Sequence, residues 1–268
     1  MTCPTTGKKA ELKIGKVNRQ RFQGSWNIIR FNWPFFVLSA ALIFLVLILR
    51  GYSTATVEIA LDVLLIVILA STFISLFVSL YVYDLSGLYT LYWLNDLSVS
   101  STDKILNINA GFDETSCLLA DKFPDRNMTV CDFYDPQKHT APSIKRARAA
   151  YPPLPGTRKV FTDAIPLEDG SVDKIFAIMS AHEIRDPDER RAFFGELSRL
   201  LASKGQVVVV EHLRDMANTL AYNLGAFHFH TRAEWLSAFK AGQLGIDREI
   251  KITPFITAFF LSKDANTS

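Results

Sequence analysis

Two long apolar runs lie near the start of the chain. Residues 32–49 form 18 successive positions without a charge, and residues 63–83 form 21 more. A helix that crosses a hydrocarbon core of about 30 Å needs roughly 20 residues, so both runs are long enough to span a membrane. Buried helices of soluble proteins usually keep a polar stripe, and neither run has one. Because only residues 50–62 connect the two runs, the pattern predicts a transmembrane helical hairpin.

The distribution of basic residues predicts how this hairpin is oriented. Seven Lys or Arg residues lie within residues 1–32, whereas Arg50 is the only one in the connection. Positive residues favour the cytoplasmic side, so both termini are expected there. Aromatic side chains suited to the headgroup zone flank the runs, namely Trp26, Trp33, Tyr81, Tyr83, Tyr89, Tyr92 and Trp93. The alternative is an apolar helical pair buried against a partner protein.

This pattern divides the chain into three parts. A basic cytoplasmic segment, residues 1–31, precedes the hairpin at residues 32–84, and a cytoplasmic domain follows at residues 85–268. We therefore expect a multi-pass protein of the cell (inner) membrane, with the lipid bilayer as a partner. The transmembrane helices could also join copies of the chain into a homo-oligomer.

Beyond residue 84, short apolar runs alternate with amphipathic stretches, which is typical of βαβ units and a mostly parallel sheet. Strands are predicted at residues 104–109, 128–132, 159–162, 174–180 and 206–211. Helices are predicted at residues 113–123, 142–150, 186–202 and 231–240. The third of these helices has the clearest start, with Asp186 as N-cap and Pro187 in the first turn. Residues 246–262, broken at Thr253 and Pro254, predict a closing antiparallel pair of strands.

Three motifs carry a resemblance to a known family. Residues 162–173 read TDAIPLEDGSVD, residues 180–184 read SAHEI, and the turn Lys204-Gly205-Gln206 precedes a run of valines. With five βα steps and a terminal hairpin, roughly residues 85–263 resemble the class I S-adenosylmethionine-dependent methyltransferases. The resemblance implies a seven-stranded, mostly parallel Rossmann-like α/β sheet, preceded here by the two transmembrane helices. It also implies S-adenosylmethionine as cofactor.

The same resemblance implies which residues hold the cofactor. Family members usually have an acidic residue and three glycines after the first strand, but here residues 107–113 read NINAGFD, so only Gly111 remains. Glycine matters there because the backbone takes unusual dihedrals and approaches the ligand closely. Asp113 or Glu114 could substitute for the missing acid. The implied cofactor set is Asn107, Asn109, Ala110, Gly111, Asp132, Phe133, Thr162, Asp163, Ala164 and Ser180.

Three residues of this set have specific implied roles. Asp132 closes the second strand and is expected to hold the ribose hydroxyls, with Phe133 packed on the adenine. Asp163 is expected to meet the adenine amino group. Because the two aspartates stand at the expected strand ends, cofactor binding is a stronger prediction than the glycine loop alone would allow.

Histidines cluster at the ends of the later predicted strands. His182 follows the fourth strand, His212 follows the fifth, and His228 and His230 lie in the next segment. Ligands of open α/β sheets bind outside the carboxyl ends of the strands, so the methyl acceptor is expected there. A His with a pKa near neutral suits proton removal, and His182 is the first choice. The candidate catalytic set is His182, Glu211, His212, Tyr222, His228 and His230.

These polar residues also have plainer interpretations. Glu183 and Arg185 could form an ion pair that only orders their loop. His228 and His230 have the chemistry of metal ligands, and His182 or Glu211 could join them. No strong spacing motif such as HExxH occurs, however, so no metal site is predicted.

The function expected from the sequence is methylation of a lipophilic acceptor at the membrane. Lipid headgroups, quinone or phenol rings and acyl carboxyls are all compatible small-molecule substrates. Nucleic acid is not an expected partner, because 29 basic residues against 27 acidic ones give a net charge of only +2. The rival hypothesis is a non-catalytic membrane scaffold or sensor, which the incomplete glycine motif favours.

Overall fold

A computed structural model describes residues 19–263. Predictions that concern residues 1–18 and 264–268, which include most of the basic N-terminal segment, lie outside the described residues.

The predicted hairpin corresponds to two long helices, α2 (Trp33–Arg50) and α3 (Ala55–Leu80), which pack against each other. The segments Trp33–Arg50 and Ala55–Leu94 are long and apolar enough to cross a membrane, and only 6% and 11% of their most apolar windows are buried. Arg50 and Asp62 close the short connection with an ion pair of 2.6 Å between Nε and Oδ1.

A shorter helix, α1 (Gln23–Phe31), precedes the hairpin, and the sequence pattern does not predict it. Its N-terminus has no capping side chain of its own. The carboxylate of Asp84 instead accepts hydrogen bonds from the backbone N–H groups of Gly24 and Ser25, at 2.9 and 2.8 Å. Because Asp84 is 60 residues away from Gly24 along the chain, no local signal reveals this cap.

The domain is built on one seven-stranded sheet, with the strand order β3-β2-β1-β4-β5-β7-β6. Its strands are β1 (Lys104–Asn109), β2 (Asn127–Asp132), β3 (Arg158–Lys159), β4 (Val172–Ile178), β5 (Leu201–His212), β6 (Leu244–Thr253) and β7 (Ile256–Lys263). Strands β1 to β5 pair in parallel, and β7 pairs antiparallel with both β5 and β6. The predicted fold class, a mostly parallel seven-stranded sheet preceded by two apolar helices, is confirmed.

Five helices accompany these strands, namely α4 (Ser116–Lys122), α5 (Pro142–Ala150), α6 (Pro187–Leu200), α7 (Met216–Tyr222) and α8 (Arg232–Ala241). The predicted start of α6 is confirmed, since Asp186 accepts hydrogen bonds from the N–H groups of Asp188 and Glu189. Helix α4 begins later than predicted because the side chain of Asp113 holds the preceding residues in a turn. Helix α7 was not expected from the sequence, and Asp215 caps it.

Both faces of the sheet are covered by apolar side chains. On one face, α6 and α8 contribute buried aromatic rings such as Phe193, Phe194 and Trp235. On the other face, Trp93 and Leu94, which follow α3 in the chain, are buried in a second core. The C-terminal end of the hairpin is therefore attached to the domain by buried contacts, and Tyr83 beyond α3 reaches His212 at the carboxyl end of β5.

Candidate active site at the carboxyl edge of the sheet

The parallel strands bring most of the candidate site residues to one edge. Asn109 and Asp132 are paired neighbours at the ends of β1 and β2. The short 3-10 helix Ala181–Glu183 follows β4, and β5 ends at His212 beside it. We call the β1–β2 part the cofactor half of the edge and the β4–β5 part the acceptor half.

In the cofactor half, the loop after β1 makes a sharp turn. Gly111 has a φ of 84°, a left-handed conformation that favours glycine. The side chain of Asn109 stabilises the turn, since its Oδ1 accepts a hydrogen bond of 2.7 Å from the N–H of Gly111. The Nδ2 of Asn109 is buried and has no hydrogen-bond partner among the described residues. The turn therefore forms with one glycine, and it leaves a buried donor without a partner.

The carboxylate of Asp132 lies beside this turn and is buried. Its Oδ1 accepts a hydrogen bond from the N–H of Tyr134, and its Oδ2 forms an ion pair of 2.7 Å with Arg148. The guanidinium of Arg148 also lies over the ring of Tyr134, 4.2 Å from its centroid. An ideal Cβ on Gly111 would lie 1.1 Å from Nη1 of Arg148. Arg148 thus fills the space directly above the glycine turn.

The other cofactor candidates differ in how far they reach the edge. Phe133, expected on the adenine, is buried in the core against Phe193, with ring centroids 5.3 Å apart. Asn107 is buried and donates to the hydroxyls of Thr115 and Ser116, which ties the loop to α4. Successive side chains along a strand point to opposite faces of the sheet. Phe133 therefore points into the core, whereas Asp132, one residue earlier, does not.

The remaining candidates lie around the end of β4 and the turn after β3. Thr162 is buried and donates to Glu189 at 2.7 Å, whereas Asp163 and Ala164 are exposed. Ser180 is buried and donates to the carbonyl of Ile108 at 3.1 Å. Of these four, Asp163 and Ala164 remain available to a ligand.

The chemistry of the cofactor half fits S-adenosylmethionine once the side chain of Arg148 has moved. It offers a glycine turn, a buried amide donor on Asn109 and a carboxylate on Asp132 that can bind vicinal hydroxyls. The guanidinium of Arg148 must leave the turn before a ligand can contact Gly111.

In the acceptor half, Glu211 is fully buried and organises the turn after β4. Its Oε1 accepts hydrogen bonds from the N–H groups of Ser180 and His182, at 3.0 and 3.1 Å. Its Oε2 lies 2.7 Å from Nδ1 of His182. Because an ionised carboxylate only accepts, His182 donates through Nδ1 and points Nε2 away from Glu211.

The Nε2 of His182 faces a second carboxylate and a second imidazole. Oε1 of Glu183 lies 3.5 Å from Nε2 of His182 and 3.6 Å from Nε2 of His228. The two rings are 5.3 Å apart at an interplanar angle of 71°. The sequence allowed an ion pair between Arg185 and Glu183, but the structure does not form it. Its guanidinium instead contacts Nδ1 and the carbonyl oxygen of His228.

The protonation states within this group follow from its burial and its charges. Burial opposes a charge on His182, but the carboxylates of Glu211 and Glu183 outweigh it and raise the pKa of His182 to about 10. Burial also opposes a charge on Glu183, yet hydrogen bonds from His182 and His228 hold its pKa well below the usual range. Burial lowers the pKa of His228. At neutral pH His182 is therefore an imidazolium, whereas a general base must be unprotonated.

His212 and Tyr222 belong to a separate network next to the end of the hairpin. Nδ1 of His212 donates to the carbonyl of Phe255 at 3.0 Å, so its Nε2 accepts from the hydroxyl of Tyr83 at 2.8 Å. Burial lowers the pKa of His212 to about 3. Tyr222 packs edge-on against His212, with ring centroids 5.4 Å apart. No hydrogen bond, ion pair or ring contact joins either of these two side chains to His182.

His230 also lies apart from the acceptor group. It is buried, its Nε2 lies 3.0 Å from Nη1 of Arg190, and its ring packs against Trp235. Burial lowers the pKa of His230 to about 3. Of the six catalytic candidates, the structure joins His182, Glu211 and His228.

Two residues that the sequence did not assign to the site are central to its geometry. Glu183 joins the two imidazoles, and Arg148 covers the glycine turn. Glu183 could have been found from its place in the SAHEI motif beside His182. Arg148 lies 16 residues beyond Asp132 on α5, and nothing in the local sequence marks this contact.

Known proteins resemble parts of this chain. Residues 106–209 match the family model described as a methyltransferase domain. Among solved structures, geranyl diphosphate C-methyltransferase from Streptomyces coelicolor is 13% identical, with a TM-score of 0.48 over 67% of this chain and 79% of that one. A SAM-dependent methyltransferase from Aquifex aeolicus is 16% identical, with a TM-score of 0.47 over 66% of this chain and 93% of that one. No curated protein sequence matches the chain. The family match confirms the predicted enzyme class, a methyltransferase.

Proposed function

We propose that this chain methylates a lipophilic acceptor that reaches the active site from the membrane. S-adenosylmethionine is the cofactor, and it supplies an electrophilic methyl group bound to a sulfonium. The acceptor is a lipid headgroup, a quinone or phenol ring, or an acyl carboxyl. The cofactor half of the edge holds the methyl donor, and the acceptor half receives the nucleophile.

One observation carries the lipophilic character of the acceptor. Four large apolar side chains, on α7 and the turn after it, point into solvent with exposed fractions between 67% and 81%, namely Met216, Leu220, Leu224 and Phe227. We call these four residues the apolar face. Exposed apolar side chains that form a patch usually mark a membrane or ligand contact.

The position of the apolar face supports a membrane contact. Helix α7 packs against α3, so the face continues the apolar surface of the hairpin. His228 follows Phe227 directly in the chain, so the face ends at the acceptor half of the edge. A molecule dissolved in the bilayer can thus reach His228 and His182 along apolar surface.

The residues of the edge divide the work of methyl transfer. Asp132 and the turn at Gly111 hold the cofactor, and Glu211 fixes the orientation of His182 through the hydrogen bond to Nδ1. Glu183 has an oxygen, Oε2, that is buried and has no hydrogen-bond partner among the described residues. That oxygen can accept a hydrogen bond from the O–H or N–H of an acceptor. Positioning of this kind supplies most of the catalysis that methyl transfer needs.

The topology is part of the same proposal. The basic residues near the N-terminus favour the cytoplasmic side of the inner membrane for residues 85–268 and for both termini. Helix α1 contacts Asp84 and α5, so α1 would lie on the same side of the membrane as the domain. A cysteine introduced at Ser53, in the connection, should react with an impermeant thiol reagent from outside the cell. Labelling of this cysteine only after the membrane is permeabilised would place the connection inside the cell and the domain outside.

The function is tested with purified full-length chain in vesicles of total membrane lipid and methyl-labelled S-adenosylmethionine. Labelled lipid is the expected product. Replacing Leu220 and Leu224 by Asn should lower labelling of the lipid, because the acceptor loses its apolar path, while cofactor affinity stays unchanged. Tyr52→Ser is the matched control, because Tyr52 is also exposed but lies in the connection between α2 and α3. Equal losses in both variants, or no labelled lipid, would contradict the proposal.

A second candidate function, a membrane scaffold without catalysis, is favoured by the position of Arg148 over Gly111. Calorimetry separates the two candidates. Binding of S-adenosylmethionine and S-adenosylhomocysteine at micromolar concentration supports the enzyme. Binding only at about 1 mM or weaker supports the scaffold.

A further inference from the structure

We propose that His182, Glu183 and His228 form a site for a divalent metal ion of the zinc type. One ligand atom of each residue lies within 4.8 Å of the other two, and Oε1 of Glu183 lies near Nε2 of both histidines. Two imidazoles and one carboxylate are the protein ligands of a common class of catalytic zinc site, which keeps its fourth position open.

The distances between the ligand atoms agree with this assignment. Zinc binds nitrogen and carboxylate oxygen at about 2.0–2.2 Å, so two ligands of a tetrahedral site lie about 3.3–3.6 Å apart. Oε1 of Glu183 is 3.5 Å from Nε2 of His182 and 3.6 Å from Nε2 of His228. Little movement of these side chains would be needed to bind the ion.

The surroundings of His182 are those of a metal ligand. A ligating imidazole usually donates its other N–H to a carboxylate or carbonyl, which fixes the ring and its tautomer. Glu211 is that carboxylate here, since its Oε2 lies 2.7 Å from Nδ1 of His182. Glu211 is itself held by the N–H groups of Ser180 and His182.

Glu183 gives an independent indication. It is 5% exposed, and its Oε2 has no hydrogen-bond partner among the described residues. Within residues 19–263, neither Glu183 nor Glu211 forms an ion pair with a Lys or Arg side chain. The side-chain partners of both carboxylates are therefore imidazoles, which are also metal ligands. A divalent cation at the three ligand atoms would add positive charge beside both carboxylates.

Arg185 sets one requirement for the site. Its guanidinium contacts both Nδ1 and the carbonyl oxygen of His228. A ring that binds a metal through Nε2 carries its proton on Nδ1, so Arg185 would then keep only the hydrogen bond to the carbonyl. Arg185→Gln, which removes the positive charge next to the ring, should therefore strengthen metal binding.

The consequence for the reaction rests on the proposed function. The side chain of His228 is 32% exposed, so one side of the site is open toward the end of the apolar face. An acceptor oxygen at the open position would lose its proton to water more easily, because the cation would stabilise the oxyanion. That oxygen would then take the methyl group from the sulfonium of S-adenosylmethionine, and S-adenosylhomocysteine would leave.

The binding itself is tested on the full-length chain in detergent, purified without a histidine tag and stripped with a chelator. Titration with zinc chloride by calorimetry should show one ion per chain. Titration with cobalt chloride should give the visible absorption bands of a tetrahedral or five-coordinate site. Glu183→Gln and His228→Ala should abolish both signals, and Glu211→Gln should weaken binding by about 10- to 100-fold. Glu249→Gln, in a surface ion pair with Arg232, is the control and should bind like the unmodified chain.

Three outcomes would overturn the metal site. They are an absence of saturable zinc binding, a stoichiometry unaffected by Glu183→Gln and His228→Ala, and an equal loss in Glu249→Gln. Thermal unfolding without metal shows whether each variant is folded. If Glu183→Gln does not fold, His228→Ala alone tests the metal site. Labelled lipid formed equally well by chelator-treated and zinc-loaded protein would end the metal's role and leave the proposed function standing. Zinc binding without labelled lipid would support the metal site and contradict the proposed function.

Discussion

The two halves of the carboxyl edge differ in the partners of their carboxylates. In the cofactor half, Asp132 is paired with Arg148 from the same chain, and the guanidinium fills the space above Gly111. In the acceptor half, Glu183 keeps a buried oxygen without a partner among the described residues. The difference shows that the cofactor half must open before it binds a ligand, whereas the acceptor half already presents its groups.

The cause of this difference lies next to the two long apolar helices. Helix α5 carries Arg148, and α1 packs against α5 through a hydrogen bond of 2.6 Å from Arg146 to the carbonyl of Phe31. Tyr151, which follows α5, donates to Asn27 of α1 at 2.9 Å. Phe31 in turn packs edge-on against Phe112, the residue after Gly111. The helix that precedes the hairpin therefore contacts the cofactor loop, while the acceptor half has no such cover from α1.

The largest expected effect concerns the acceptor half. His182→Ala should lower kcat by about 10²-fold, the effect that a loss of positioning can have, because it removes a side chain at the centre of the acceptor group. The affinity for S-adenosylmethionine should change little, because Asp132 and Gly111 are unaffected. Single-turnover rates and calorimetry measure the two quantities separately.

Two results would change this view of the edge. Activity within a few-fold of the unmodified chain would make His182 structural, so that the acceptor needs no such group. A collapse of cofactor binding together with activity would place His182 in the cofactor half, and the division of the edge into two halves would be wrong.

The affinity for the cofactor tests the other half. Asp132→Ala should weaken binding of S-adenosylmethionine by about 1.5–3 kcal/mol, roughly 10- to 150-fold, because it removes hydrogen bonds to a charged acceptor. Asp135→Ala is a suitable control, because Asp135 follows the same strand without contacting Arg148. An unchanged affinity in Asp132→Ala would refute the assignment of the ribose site.

Much of the fold could be predicted because its signals are local. Apolar periodicity gave β1 at residues 104–109 and α5 at residues 142–150 with the bounds that the structure has. The cap at Asp186 was visible in three adjacent residues. The third strand was predicted at residues 159–162 but ends at Lys159, because residues 161–164 form a tight turn instead. Helix α1 was missed because its cap, Asp84, comes from the far end of the hairpin.

The site residues also divide into those with a local sequence signal and those without one. Asp132 and His182 could be predicted because strand ends of a parallel sheet meet at one edge. The contact of Arg148 with Asp132 and the meeting of Glu183 with His228 depend on how α5 and the segment after α7 pack. Such contacts are set by tertiary packing, which sequence periodicity does not describe. His230, two residues beyond His228, faces Arg190 for the same reason.

Acid should destabilise the protein through His212, which borders the acceptor half. Its pKa is about 3 in the folded chain and near the ordinary value of 6.5 in the unfolded chain. The unfolded chain therefore binds one more proton between pH 6.5 and 3, so this contribution to stability is complete above pH 6.5 and is lost as the pH falls toward 3.

His212→Gln should flatten the acid side of the stability curve. The variant should also lose about 1 kcal/mol at pH 8, because the hydrogen bond with Tyr83 is impaired. Thermal unfolding from pH 8 to pH 4 measures both effects. If the variant and the unmodified chain lose stability in parallel, the acid sensitivity comes from other groups.

The smallest expected effect decides what Arg148 does in the cofactor half. If its guanidinium competes with the ribose hydroxyls for Asp132, Arg148→Leu should tighten S-adenosylmethionine binding by about 3- to 10-fold, since a partly exposed ion pair contributes up to about 1 kcal/mol. Arg146→Leu, on the same helix, is the matched control for the packing of α5 against α1, because Arg146 bonds Phe31 and not Asp132. Weaker binding in Arg148→Leu alone would instead make the guanidinium a ligand for the cofactor's carboxylate. In that case Arg148 rotates toward the cofactor when it binds, and the closed half of the edge opens by exchanging one carboxylate for another.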